Sequence, residues 1–290
     1  MKHIFWTIGA ALCLAAPSQF ARAQSPAPQL NCDQIKLFSN GLVPYCEMRE
    51  VSVPFAGSLT VKTGGSGNVS IDSWDGPDVL VRAQVETAAI NQPLAQALAP
   101  SVTVDTSAAN VLGSGPASDP QQTWSLSLEI YVPQGAALTV STLHGNIVVG
   151  SLQGSSGVSM SAIDGNITVT GFPGPIQFTL TNGNVSLRNV IGDLQGHVVN
   201  GNIFVGVGGD RWQAQTIGLT LVNGSVELDV PHDCSAHVEL STVIGIIRTN
   251  FIVPNWGRPG LGRTISFDAG SGGPLVRASV TIGSILLKRL

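Results

Sequence analysis

Apolar and polar residues alternate over short runs, and in the second half of the chain each run follows the same turn motif. The copies read HGNIVV from 144, DGNITV from 164, NGNVSL from 182, NGNIFV from 200 and NGSVEL from 223, with IGIIRT from 244 and IGSILL from 282 as weaker members. An outlier, SGNVSI, begins at 66. The glycines Gly145, Gly165, Gly183, Gly201, Gly224 and Gly245 follow one another at 18 to 23 residues, and Gly283 comes 38 residues later, after an insertion. A period of this size marks one structural unit per repeat.

Successive strand residues face opposite sides, so aligning the copies on their glycine sorts the positions by face. Two residues after it stand Ile147, Ile167, Val185, Ile203, Val226, Ile247 and Ile285, all β-branched and aliphatic. Four after it come Val149, Val169, Leu187, Val205, Leu228, Thr249 and Leu287; seven before it come Leu138, Val158, Ile176, Leu194, Ile217, Val238 and Val276. These columns are expected to face a core. The column four before the glycine, Ser141, Ser161, Thr179, His197, Thr220, Ser241 and Ser279, is expected to face water. Each unit is then two half-buried strands joined at a corner, where glycine, or Asn and Asp, takes the left-handed conformation at little cost.

Two all-β architectures satisfy this pattern. In a parallel β-helix, or β-solenoid, each unit of 18 to 23 residues is one coil and like stacks on like. In an antiparallel hairpin meander each Asn-Gly is a type I′ turn, with Leu180 facing Val185 across the hairpin. Persistent columns favour the helix, because stacking requires them and a meander does not. Asn146, Asn166, Asn184 and Asn202 would then form a structural amide ladder, each side chain bonding its neighbour one coil away.

With these repeats, and with Tyr45-Cys46-Glu47, Ser73-Trp74-Asp75, Val79 to Val85 and Trp124 to Pro133, the chain resembles the bacterial family known as putative adhesins, a domain of unknown function with Asn-Gly-Asn/Asp-Ile/Val repeats. The resemblance extends to Leu290, although Ile244-Gly245-Ile246 and Ile282-Gly283-Ser284 depart from the Asn-Gly pattern. It implies a right-handed β-helix in an exported or envelope-associated protein, and it brings no catalytic residues.

Residues 1–23 read as a secretory signal, with Lys2 ahead of an apolar run and Ala21-Arg22-Ala23 before the cleavage point. The mature protein is expected in the periplasm, the cell envelope or the extracellular space, without an integral membrane helix. A Pro/Ala/Ser linker covers 24–30. Residues 31–56 are expected to cap the first coil, stapled by a disulfide between Cys32 and Cys46, which leaves Cys234 unpaired. The solenoid would occupy 57–290, with a helix and loop insertion at 86–122, the helix broken around Pro93, and a loop excursion at 253–274.

Charge narrows the partners. The net charge is −4 and becomes −6 once Lys2 and Arg22 leave with the leader, and no Lys or Arg lies between Arg82 and Arg188. Nucleic acid is therefore not an expected partner. No GxSxG, Walker loop, dinucleotide fingerprint or HExxH occurs, and neither a cofactor nor a metal is expected. His144 occupies the turn slot that Asp or Asn fills in other copies, and His232 and His237 flank Cys234 at a corner. Glu227 and Asp229 share an outward face, and the sequential stack places Arg248 one coil from Glu227, where an ion pair would form. Asp72, Asp75 and Asp78 lack the alternating oxygen spacing of a calcium loop.

The expected function is a noncatalytic binding or structural module. It would present Thr139, Ser141, Ser159, Ser161, Gln177 and Thr179 to a polysaccharide, a cell surface or an envelope protein. The alternative is a polysaccharide lyase or hydrolase on a β-helix scaffold, which the lack of basic residues in this region disfavours.

Overall fold

The computed structural model describes residues 30–290 except 34, 36–40, 108, 151, 155, 210–211, 214 and 255–261. The signal, nearly all of the linker and Cys13 lie outside the described residues. Strands β1 (Val43–Pro54), β2 (Ser58–Lys62), β3 (Val69–Ser73) and β4 (Asp78–Ala89) precede a short helix, α1 (Gln92–Leu98). Then come β5 (Thr103–Asp105), β6 (Asn110–Ser114) and β7 (Gln122–Val132). The repeats supply β8 (Ala137–His144), β9 (Ile147–Val149), β10 (Gly157–Asp164), β11 (Ile167–Thr170), β12 (Ile176–Asn182), β13 (Val185–Val190), β14 (Leu194–Val207), β15 (Ile217–Val230) and β16 (Ala236–Thr249). The chain ends with β17 (Arg263–Ala269) and β18 (Leu275–Arg289). The protein is all-β, with its strands joined into one mixed sheet.

The repeats pair in parallel and in register. Ile147, Ile167, Val185 and Ile203 are consecutive partners, and Val69 of the outlying copy joins them beneath Ile147. All five are essentially inaccessible to solvent. Leu180 pairs with Ala162 and Val198, whereas Val185 pairs with Ile167 and Ile203, so the Asn-Gly corners do not fold back as hairpins. Antiparallel pairing is confined to the ends: β1 with β4, β4 with β7 and β5 with β6 at one end, and β16 with β17 at the other.

The corner conformation differs from the expected one. Gly183 has φ +138° and Gly201 has φ +146°, far from the left-handed well that Asn or Asp tolerates. A Cβ on Gly183 would lie 1.6 Å from the carbonyl oxygen of Gly165, and one on Gly201 would lie 1.6 Å from that of Gly183. Stacked corners thus touch backbone to backbone, and only glycine fits.

The last strands pair out of chain order. β18 lies between β15 and β16, parallel to both, so that Glu227 pairs with Leu286 and Leu286 with Arg248. The expected contact between Glu227 and Arg248 is therefore interrupted by a whole strand. β17, within the expected loop at 253–274, flanks β16. In the 86–122 segment β4 continues to Ala89, and Pro93 stands in the first turn of α1, behind Asn91, whose side chain accepts from the Leu94 amide at 3.0 Å. Proline begins this helix rather than breaking it, because a first-turn residue has no intrahelical N–H bond to lose. β6 lies in the part of that segment expected to be loop.

Candidate binding face

The Ser/Thr/Gln positions form two rows that cross the parallel strands. Thr139, Ser159 and Gln177 are successive partners, and so are Ser141, Ser161 and Thr179. Ser141 is half-buried and the other five are exposed. The rows run on through Gln195 and His197. Beneath them the inward ring of Phe178 reaches under the next strand: a Cβ on Gly196 would lie 2.0 Å from its Cζ. The outer surface dips over Ser159, Ser161, Gln177, Thr179, Gln195 and His197, in a shallow depression of about 380 Å³.

Charge appears at the two ends of the rows. Thr60 and Lys62 of β2 pair with Thr139 and Ser141, so Lys62 heads one row. At the far end Arg277 donates to Glu239 at 2.6 Å, and His237 Nδ1 lies 2.7 Å from Asp268. Lys62 was not among the expected face residues. Its signal lies in the alternation of Leu59 and Val61, which turns Ser58, Thr60 and Lys62 outward; the SGNVSI alignment with HGNIVV is one residue short of the register that sets 58–62 beside 137–141.

At the corner beside this face, side-chain amides join consecutive repeats. The Asn146 Nδ2 donates to Asn68 Oδ1 at 3.1 Å, Asn166 to Asn146 at 3.0 Å, Asn184 to Asn166 at 3.4 Å and Asn202 to Asn184 at 3.0 Å. A second row starts at His144, whose Nδ1 is 2.8 Å from the Asp164 carboxylate. It continues as Asn182 donates to Asp164, Asn200 to Asn182 and Asn223 to Asn200, at 2.8 to 2.9 Å. The Asn182 bond, ahead of His144, holds the Asp164 carboxyl below its ordinary range.

The remaining candidates are dispersed. Glu227 is bonded to Lys288 of β18. Burial, with the charge of Glu227 adding to it, pushes the Asp229 carboxyl up against the opposing pull of Lys288, and Asp229 Oδ1 is enclosed without a hydrogen bond. Cys234 is buried among apolar residues, and that burial, with Asp233 adding to it, pushes its thiol up to about 11. His232 is exposed and His237 is held by Asp268. Trp74 donates to the Asp78 carbonyl at 2.8 Å, while Asp72 lies half-buried, its carboxyl raised by burial and then by Glu129. Among the described residues no group of three or more His, Cys, Asp or Glu side chains is placed to hold a metal ion.

A buried polar cluster lies on β1, β4 and β7, where no candidate site was expected. Arg82 bonds Glu50 at 2.8 Å and lies 5.4 Å from the Tyr131 ring centre, and the Tyr131 hydroxyl donates to Glu129 at 2.7 Å. Burial, then that bond, pushes the Tyr131 phenol up to about 12. The segment beginning at Leu30 meets this cluster: Gln84 donates to the Asn31 carbonyl at 2.5 Å, and the Cys32–Cys46 disulfide fixes the segment to β1. The clue was the alternation of Arg82, Gln84 and Glu86 with Val81, Ala83 and Val85, which puts charge on a face that this segment then covers.

Neither a family model nor a curated protein matches the sequence. Solved structures do resemble the fold. A "putative cell adhesion protein" from Clostridium sporogenes is 12% identical over 86% of this chain and 100% of its own, with a TM-score of 0.36. A "putative adhesin" from Bacteroides fragilis is 10% identical over 84% and 97%, with a TM-score of 0.39. A "putative lipid binding protein" from Parabacteroides distasonis is 9% identical over 83% and 96%, with a TM-score of 0.35. Among the described residues no helix is long and apolar enough to cross a membrane.

Proposed function

We propose that this chain is an exported, noncatalytic binding module whose coils wind as a right-handed parallel β-helix. Its binding face is the pair of rows through Thr139, Ser159 and Gln177 and through Ser141, Ser161 and Thr179. The observation that carries this reading is the uncharged stretch of hydroxyls and carboxamides repeated at strand spacing, roughly 4.8 Å, on a packed platform. Such a face offers donors and acceptors to the hydroxyls of an extended polysaccharide on the cell surface, or to a neutral patch of an envelope protein, and none of these six side chains is an acid or a base. The carboxylate best placed for the enzymatic alternative, Glu227, is already bonded to Lys288.

Glycan-array binding beside a turnover screen on acidic polysaccharides tests this reading. The expected result is binding without turnover, insensitive to salt and lost in a Gln177→Ala/Thr179→Ala variant. Turnover that disappears in Glu227→Gln would overturn it.

A further inference from the structure

The strand made last, β18, is internal to the sheet. Its pairing with β15 keeps one register from Ile217 with Val276 to Val230 with Arg289, and on its other side it pairs with β16 from Leu275 with His237 to Leu287 with Thr249. β15 and β16 are consecutive in the chain, yet they are held one strand apart by a segment that follows both of them. β16 carries inward columns close to those of β18: Val238 for Val276, Leu240 for Ala278 and Ile247 for Ile285, with Thr242 for Val280 and Thr249 for Leu287, and Gly245 shares the corner of Gly283. The edge of β15 therefore has two matching occupants. If β18 leaves, β16 can close against β15 in the same register, and the apolar column of β15 is not left in water.

The joints around β18 suit such an exchange. The turn before it contains Gly270, Gly272 and Gly273, at φ +60°, +74° and +141°. Its polar fastenings lie on the outside, where water can replace them: Lys288 to Glu227, Arg277 to Glu239 at 2.6 Å, and the Asn250 amide to the Arg289 carbonyl at 2.9 Å. Strand and acceptor belong to one sequence, so a second copy supplies an equally complementary strand. We propose that the edge of β15 is a strand-acceptor site for the C-terminal strand of a second copy of this chain, and that β18 exchanges between copies. This assembly is independent of what the Ser/Thr/Gln rows bind.

Full-length chains test it, in a Cys13→Ala/Cys234→Ala background with the Cys32–Cys46 disulfide kept, so that introduced thiols report alone. Ser225 and Ser284 are partners across β15 and β18, as are Thr220 and Ser279. A Ser225→Cys chain is incubated with a Ser284→Cys chain, oxidised and run without reductant. The expected result is a species of twice the monomer mass, reversed by reductant and several-fold more abundant than in either variant alone. Ser225→Cys/Ser284→Cys and Thr220→Cys/Ser279→Cys within single chains establish that the partner positions can close. Closure within single chains but no mixed dimer above the single-variant level overturns the proposal. Failure of both pairs to close within one chain also overturns it, because β18 is then not seated on β15.

Discussion

Lys288 donates to Glu227 across 61 residues of sequence, from the final strand to the strand it covers. Two strands, β16 and β17, separate the partners along the chain and none separates them in the sheet. A surface pair of this kind contributes little by itself. Its value is as a marker of strand order, since a sequential stack would have given Glu227 the side chain of Arg248.

The corner glycines are expected to be the least replaceable residues of the repeat. In Gly183→Ala the new Cβ meets the Gly165 carbonyl oxygen at 1.6 Å, in a backbone region that L-residues rarely adopt. A loss of about 2 to 4 kcal/mol is expected in denaturant unfolding, combining backbone strain with the clash. In Gly206→Ala the nearest contact would be 3.5 Å, with Phe204, and that variant is expected to stay within about 1 kcal/mol of the parent.

Asp229→Asn is expected to stabilise the protein at neutral pH. Burial raises the Asp229 carboxyl above its ordinary value, so the native state disfavours the ionised form. The penalty is absent below the unfolded pKa and appears as pH rises through the native one. The gain in midpoint temperature should therefore be seen at pH 7 and shrink toward zero below about pH 4. An equal gain at both pH values would contradict this account of Asp229.

Cys234 is expected to be inert in the folded protein. With the thiol raised to about 11, the thiolate at pH 8 is scarcer by about 100-fold than for an ordinary cysteine, and enclosure slows labelling further. The same shift stabilises the fold fully below the unfolded value near 9, and that contribution is lost as pH rises through about 11. Thiol-reagent kinetics before and after denaturation measure the first effect. A Cys234→Ala variant whose stability falls less steeply between pH 9 and 11 would show the second.

Reducing the Cys32–Cys46 disulfide is expected to cost about 3 kcal/mol, the loop-closure value for a bridge spanning 14 residues. Because the bridged segment receives the Gln84 amide on the Asn31 carbonyl, hydrogen exchange should rise in β4 around Gln84 and remain unchanged in β11 to β13. A uniform rise across the repeats would show that the bridge holds the whole stack rather than its first coils.

Much of the repeat was legible because burial repeats along with the sequence. Once Ile167, Val185 and Ile203 share a wall, their neighbours are fixed by alternation. Strand order in the last coils was not legible, because the copies at Gly245 and Gly283 offer β15 the same columns. Only pairings that cross the whole C-terminal segment distinguish them, and those leave no local mark. The buried Arg82 and Glu129 were missed for the opposite reason: their strands alternate normally, but the face that alternation assigns to water is covered by a distant segment. Lys62 could have been placed on the face from the alternation of Leu59 and Val61, but not from SGNVSI, because β2 and β3 pair with their neighbours in registers one residue apart.

The amide rows have a direction. Every Nδ2 points toward an earlier coil and every Oδ1 toward a later one, so the carboxamide dipoles add head to tail along the stack. Asp164 can only accept. It therefore belongs where a donor approaches from both sides, with Asn182 on one and His144 on the other. Exchanging Asp164 with Asn200 would keep the composition and break the polarity, because a carboxylate at 200 would face the oxygen of Asn182 with no proton to offer. The corner thus records which coil lies before which, in a fold whose apolar columns read the same in either order.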